Sequence, residues 1–294
     1  MRELAPKYAD DLVLVIGGAG ESCREIAHAL GFRRVALTED VLEWNPSAWP
    51  FAERLPKRAS SSPRFDFSKE NFAAIFMFHD SRHWGQDLQI SLDILRSDGG
   101  RLGTLSPSHQ NCRPDKHCVQ SVPLYLSNPD VLWANDFPTV RMAQGAFRVC
   151  LEKLYQDISG SPLKYTPYGK PIKPTYDYAE RMLEGLTGTK ISSVDQTTGR
   201  KIRHIPIYAV GDNPASDIAG ARQAGWRSFL VRTGVYNSHS DARKEEGRPS
   251  EIGEEFPEDE AAGGTDWVVD DVYDAPSRTP FGRPLHVHYA SGAT

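Results

Sequence analysis

Residues 205–236 read IPIYAVGDNPASDIAGARQAGWRSFLVRTGVY, and the fold follows from this stretch. IPIYAV is apolar without alternation, the pattern expected of a strand buried on both faces. Gly211 lets the chain turn sharply at the strand's carboxyl end, where open α/β sheets place their ligands. Asp212 follows at once, so its carboxylate belongs in that crevice. Asp217, five residues on, falls in the first turn of the next helix and can point back at the same spot. Two carboxylates from one turn make a hard-oxygen site suited to Mg²⁺, which takes one or two carboxylates plus water and phosphate oxygens. Asn213 and Ser216 are placed to cap the helix or hydrogen-bond the loop. The plainer reading of the same residues is a polar turn in which Ser216 or Asp217 only caps.

Outward from this corner, apolar runs alternate with helical periodicity. LVLVI (12–16) is a strand ended by GGAG, a helix runs from Ser22 to Leu30 and stops at Gly31, and RRVAL begins a second strand. FAAIFMF (72–78) is a buried strand, followed by the turn HDSRHWG and the helix QDLQISLDILRS, which Gly99 and Gly100 end. VPLYLSN is strand-like, and a helix covers about 142–157. YGKP (168–171) is a turn, and TYDYAERMLEGLTG is a helix with a terminal glycine. A strand at 227–232 follows the metal corner, and DWVVDDVYDA holds a last element. Strands alternating with helices specify an α/β architecture with largely parallel sheets. The composition divides the chain into one α/β unit at 5–140 and a second at 141–275. An acidic linker lies at 237–264 and a loose tail at 276–294.

Two motifs carry a family resemblance. The string VGDNPASDIAGARQAGWRSFLVRTGV (210–235) resembles the fourth motif of the haloacid dehalogenase (HAD) superfamily, subfamily IIA, and YGKP resembles its third. LVLVIGGAGESCREIAHALGF, FAAIFMFHDSRHWGQDLQISLDILRSDGG and LYLSNPDVLWANDFP look like the type-2 α/β cap that this subfamily inserts between its second and third motifs. LAPKYAD, WNPSAWPF, SDGGRLGTL and YGKPIKPTYDYAE are similar to the branch of cat eye syndrome critical region protein 5 and its fungal relatives. The likeness covers about residues 3–275. It implies a Rossmann-like core, present in part, with the inserted cap, and Mg²⁺-dependent phosphatase action on a small phosphorylated metabolite. Asp212 and Asp217 would hold the metal, with Gly211, Asn213 and Ser216 supporting the loop, and Lys170 would neutralise phosphoryl charge. In the cap, Asp80, Arg82, Asn128 and Asp130 lie at strand ends that could select substrate, and are equally ordinary turn formers. The resemblance also implies a mitochondrial setting in eukaryotes, with the cytoplasm as the alternative, and the cap as a surface for a homo-oligomer.

HAD chemistry starts from a strand ending in Asp-x-Asp, whose first carboxylate attacks phosphorus. No Asp-x-Asp occurs in these residues; the nearest string, HDSRH, gives Asp80-x-Arg82. The resemblance therefore implies an N-terminally truncated form that alone does not turn over phosphate esters. The alternative is a non-catalytic phosphate- or metal-binding regulatory protein. A dinucleotide-binding reading of GGAGESC, with Glu39 or Asp40 as its acid, lacks the third glycine, since Cys23 stands there. His109, Cys112, His117 and Cys118 share one stretch, but their spacing matches no common zinc pattern. His286 and His288 sit in the tail.

The bulk numbers agree. The 294 residues carry a net charge of −5, yet residues 241–274 hold thirteen Asp and Glu against three Lys and Arg, so the remainder is mildly positive. That suits an anionic small molecule better than a nucleic acid, since no Lys/Arg-rich run is present. Four cysteines in so long a chain are no disulfide framework. No apolar run is long enough for a transmembrane helix, and MRELAPKYADD is neither a secretory signal nor a transit peptide.

Overall fold

The computed structural model describes residues 1–52, 65–110, 118–236, 264–273 and 275. It consists of two units: residues 1–131 with 142–168, and residues 132–141 with the chain from Gly169 onward.

The first unit is built on a five-stranded, wholly parallel sheet. Its strands are β1 (Leu12–Ile16), β2 (Arg34–Ala36), β3 (Phe72–Met77), β4 (Leu124–Leu126) and β7 (Thr166–Pro167), in the order β2-β1-β3-β4-β7. The helices are α1 (Ala5–Tyr8), α2 (Ser22–Leu30), α3 (Thr38–Trp44), α4 (Trp84–Arg96), the short α5 (Pro107–Gln110) and α6 (Gln144–Ser159). Successive residues of a strand face opposite ways, and here both faces are covered. Leu12, Leu14 and Ile16 join a core with Val41, Ile90, Ile94, Phe147 and Tyr155, from α3, α4 and α6. Val13 and Val15 join Tyr8, Cys23, Ala27, Phe76 and Tyr125 on the other side. Double burial is why these strands are unbroken apolar runs.

By composition the chain divides at 140/141; the two units divide it after Val131, Arg141 and Tyr168. Helix α6 contributes Phe147, Leu151 and Tyr155 to the first core, and β7 completes the first sheet. Composition marks the polar segment near 135–140 but cannot show which core the next helix fills. The linker at 237–264 lies outside the described residues except for Gly264, and the tail at 276–294 lies wholly outside them.

The second unit holds a parallel sheet of β10 (Tyr208–Gly211), β11 (Arg227–Val231) and β12 (Trp267–Val269) in that order. Also in it are the antiparallel pair β8 (Ser192–Val194) and β9 (Lys201–Arg203) and the helices α7 (Lys173–Thr187) and α8 (Ala219–Gln223). A short pairing of β5 (Leu132–Trp133) with β6 (Arg141–Met142) falls at residues 132–142. Phe229 stacks on Trp267 at 4.6 Å, and Val231 and Val269 are buried beside them. Helix α7 stops where Gly188 takes φ +64°, as its terminal glycine led one to expect.

The expectation that 205–210 is buried on both faces is not met. Ile205, which precedes the strand, and Val210 are each 39% exposed; among the described residues β10 is an outer strand paired only with β11, which exposes Val210. Segment 189–204, unread from sequence, forms the β8–β9 pair.

Phe76 is fully buried, stacked on Tyr125 at 4.9 Å and edge-on to Phe32 and Tyr8. Phe76→Ala should lower stability by about 3–5 kcal/mol, the usual cost of such a cavity. A denaturant midpoint unchanged by this substitution would contradict the packing described.

Candidate metal and phosphate corner

The corner begins where β10 ends. Asn213 leads the next turn, its side chain accepting from the Ala215 amide at 3.0 Å, and the Asp217 amide donates to the Asn213 carbonyl at 2.8 Å. This doubles the chain back so that the Asp217 carboxylate lies against the strand end. A Cβ at Gly211 would stand 2.3 Å from the Cβ of Asp217, so only glycine fits there. One Asp217 oxygen accepts from the Asn213 amide at 3.1 Å; the other is ion-paired with Lys170.

Asp212 is held separately. Its carboxylate accepts from the Val235 amide at 2.7 Å, and its carbonyl from the Tyr236 amide at 3.0 Å. The chain comes that close because Gly234 has φ +92°; a Cβ there would lie 2.2 Å from the carboxylate oxygen. Among the described residues no cation is paired with Asp212. The Ser216 hydroxyl is buried and has no hydrogen-bond partner among them. Asp212 and Asp217 are the two carboxylates of this corner, the first held on the turn after β11 and the second on Lys170. Among the described residues, no group of three or more His, Cys, Asp and Glu is gathered to hold a metal.

Lys170 sits in the turn before α7. Thr175 clamps the preceding residue, its hydroxyl accepting from the Gly169 amide at 3.0 Å and donating to the Gly169 carbonyl at 2.9 Å. Tyr176, one position on, donates towards the carbonyls of Ser216 (3.2 Å) and Asp217 (3.4 Å). It packs so closely that a Cβ at Gly220 would meet its hydroxyl at 2.0 Å. The structure therefore brings Lys170, Gly211, Asn213, Ser216 and Asp217 together. Thr175, Tyr176 and Gly234 were missed: their residue types carry no chemical signature, although Gly234 lies in the opening stretch.

The first unit's predicted residues divide. Arg82 lines a crevice at the ends of β1 and β3 with Gly17, Gly18, Thr38, Glu39 and Asp87. Its free volume is about 10 Å³, room for one water. Asp80 tethers the glycine turn, its carbonyl accepting from the Gly18 amide at 3.1 Å, and one carboxylate oxygen is buried without a partner among the described residues. Asn128 and Asp130 do not line this crevice. The Asn128 side chain accepts from the Asp130 amide at 2.9 Å, its amide donates to Gln144, and the Asp130 carbonyl accepts from Gly145 at 2.7 Å, so both dock the start of α6.

The weaker signals have structural explanations. Asp40 is buried and receives both terminal nitrogens of Arg24 at 2.8 and 2.9 Å, which occupies one of the two acids of the dinucleotide reading; the other, Glu39, lines the crevice. His109 is buried at 2.8 Å from the Ser106 hydroxyl and packs on Tyr155, and burial lowers its pKa. Cys118 is buried as well, while Cys112, His117, His286 and His288 lie outside the described residues.

Residues 167–275 match the model of the HAD-hydrolase-like family. A mitochondrial hydrolase of Saccharomyces cerevisiae is 35% identical over 292 residues, covering 95% of this chain and 74% of that protein. A cardiolipin synthase (CMP-forming)/mitochondrial hydrolase fusion protein of Schizosaccharomyces pombe is 37% identical over 243 residues, or 82% of this chain and 38% of the fusion. Among solved structures, a possible sugar phosphatase of the HAD superfamily from Cytophaga hutchinsonii aligns with a TM-score of 0.46 at 16% identity, covering 83% of this chain and 64% of that one. A parallel α/β protein with two aspartates on the turn that follows a strand end is the class that fold and site define. The chain belongs to the HAD-like hydrolases.

Two predictions follow from this geometry. Gly234→Ala should push Asp212 off the Val235 amide and destabilise the second unit, visible as loss of the Val235 amide's hydrogen-exchange protection. Asp87, in the first turn of α4, has its pKa raised to about 6, chiefly by burial and against the hydrogen bond from Thr38. Because its folded pKa lies above the 3.8 of the unfolded chain, its contribution is full at low pH and is lost as pH rises to about 6. The loss should be about 3 kcal/mol. Asp87→Asn should flatten that part of the urea-stability profile; an unchanged slope would refute the assignment.

Proposed function

We propose that the chain is a Mg²⁺-dependent phosphohydrolase in lineage, acting on a small phosphorylated metabolite. The second unit would supply the metal and charge-neutralising side of the site, and the first unit would be the substrate-selecting cap. The observation that supports this reading is the Lys170–Asp217 ion pair held against the bare Gly211, with Asp212 next in the chain. Asp212 would ligate Mg²⁺ directly, fixed by the Val235 amide, and Asp217 would support the metal while holding the Lys170 ammonium at the phosphoryl oxygens. When bound, Mg²⁺ would neutralise phosphoryl charge and orient the transferring group. Lys170, about half exposed, would bring its ammonium to the phosphoryl oxygens. Arg82 and Asp80 are the proposed substrate contacts of the cap, whose surface would also serve a homo-oligomer. The yeast relatives' names favour a mitochondrial setting, and among the described residues no helix is long and apolar enough to cross a membrane.

The absence of any Asp-x-Asp from these residues favours a second reading for the chain by itself, a phosphate- or metal-binding protein without turnover. One experiment separates the two. The 294 residues alone should leave p-nitrophenyl phosphate intact with Mg²⁺, and the same residues extended at the amino end by a strand ending in Asp-x-Asp should hydrolyse it. In the extended protein Asp212→Ala and Lys170→Ala should each cost roughly 10²-fold or more in kcat, the scale of losing one transition-state charge contact. Full activity in the Asp212→Ala protein would sink the metal assignment.

A further inference from the structure

We infer that the second unit carries another binding site, independent of metal, for an organic monophosphate of about nucleotide size. The site is the cleft formed by α7, β9 and the end of α8, with a volume of about 420 Å³. That lies within the ~300–1,000 Å³ typical of small-molecule sites. Neither Asp212, Asp217 nor Lys170 lines it, so the inference does not rest on the phosphatase reading.

Its charge suits a phosphate. Among the described residues, Lys173, Lys201, Arg203 and Arg222 line the cleft together with the carboxylates of Asp177 and Glu180. A phosphate monoester carries about −1.5 to −2 at neutral pH. The cations are also preorganised. Glu180 is buried, and it receives Lys201 at 2.8 Å, Arg203 at 3.3 Å and the Ser192 hydroxyl at 2.5 Å. Burial alone would raise its pKa; Lys201, Ser192 and Arg203 pull it below the ordinary value, so it stays ionised. One carboxylate thus fixes two cations and neutralises only one. The Arg203 guanidinium is anchored a second time, on the carbonyls of Ala224 (2.8 Å) and Gly225. Lys173 and Asp177 form a balanced pair.

The floor suits a flat body. Gly220, Ala224 and Gly225 present backbone with almost no side chain. Gly220 is bare of necessity, since Tyr176 fills the space a Cβ would need. A bulkier residue there would both break the Tyr176 contact and close the cleft.

The test is calorimetric titration of the full chain in EDTA with AMP and, separately, with inorganic phosphate, while the Gly220 and Gly225 amides are followed by NMR. AMP should bind at one saturable site and shift both amides. Its affinity should fall about tenfold or more in Lys201→Gln and in Arg222→Gln, and be unchanged in Asp212→Ala. Should one of the two basic-residue variants fail to fold, the other and Lys173→Gln, read with the amide shifts, carry the decision. No saturable binding at millimolar AMP would overturn the proposal. So would binding lost in Asp212→Ala but indifferent to Lys201 and Arg222. Phosphate binding as tightly as AMP would overturn the assignment of a nucleotide-sized body.

Discussion

The close approach of Asp217 to Gly211 is the constraint on which the second unit's chemistry depends. A strand must end and a helical turn must begin within a few residues, and the turn's carboxylate must lie back against the strand end. Any side chain at position 211 would occupy that space. Once the carboxylate is there, the Asn213 amide and the Lys170 ammonium are its natural partners, and the Tyr176 hydroxyl ties the same turn to α7. A second glycine, Gly234, performs the matching service for Asp212 from the turn after β11. Two missing side chains and one tyrosine thus set three charged groups in order.

The first unit shows how a parallel sheet manages polar groups at its strand ends. The order β2-β1-β3-β4-β7 places a change of winding between β1 and β3, where doubly wound sheets form their crevice. The polar groups there are satisfied mostly by one another: Arg24 with Asp40, Thr38 with Asp87, and Gly18 with Asp80. The crevice is small because the glycine turn after β1 packs directly on the His79 carbonyl. A buried ion pair such as Arg24–Asp40 is a weak source of net stability; here it fixes the chain between β2 and α3.

Much of this was legible in the residues. The apolar runs at 12–16 and 72–77, the helices closed by Gly31 and Gly188, and the strand–glycine–Asp corner at 208–217 all follow from local rules that need only neighbouring residues. Lys170 was legible only with its motif, since a lysine between glycine and proline says nothing by itself. The unit boundary was not legible, because α6 is amphipathic whichever core it fills. Nor was the exposure of Val210: an apolar strand reads alike at the centre of a sheet or at its edge.

By itself, then, the sequence determined the α/β class, the place of the two carboxylates on one turn, and the glycine that turn requires. Those are properties of backbone conformation and side-chain period, both local. Tertiary structure alone decided that α6 belongs with the first sheet and that Asn128 and Asp130 bond to the start of that helix. It also decided that Thr175, Tyr176 and Gly234 hold the site, and that Glu180 gathers cations around a cleft. Each of these depends on contacts between residues far apart in the chain, whose partners are chosen by the packing of whole elements.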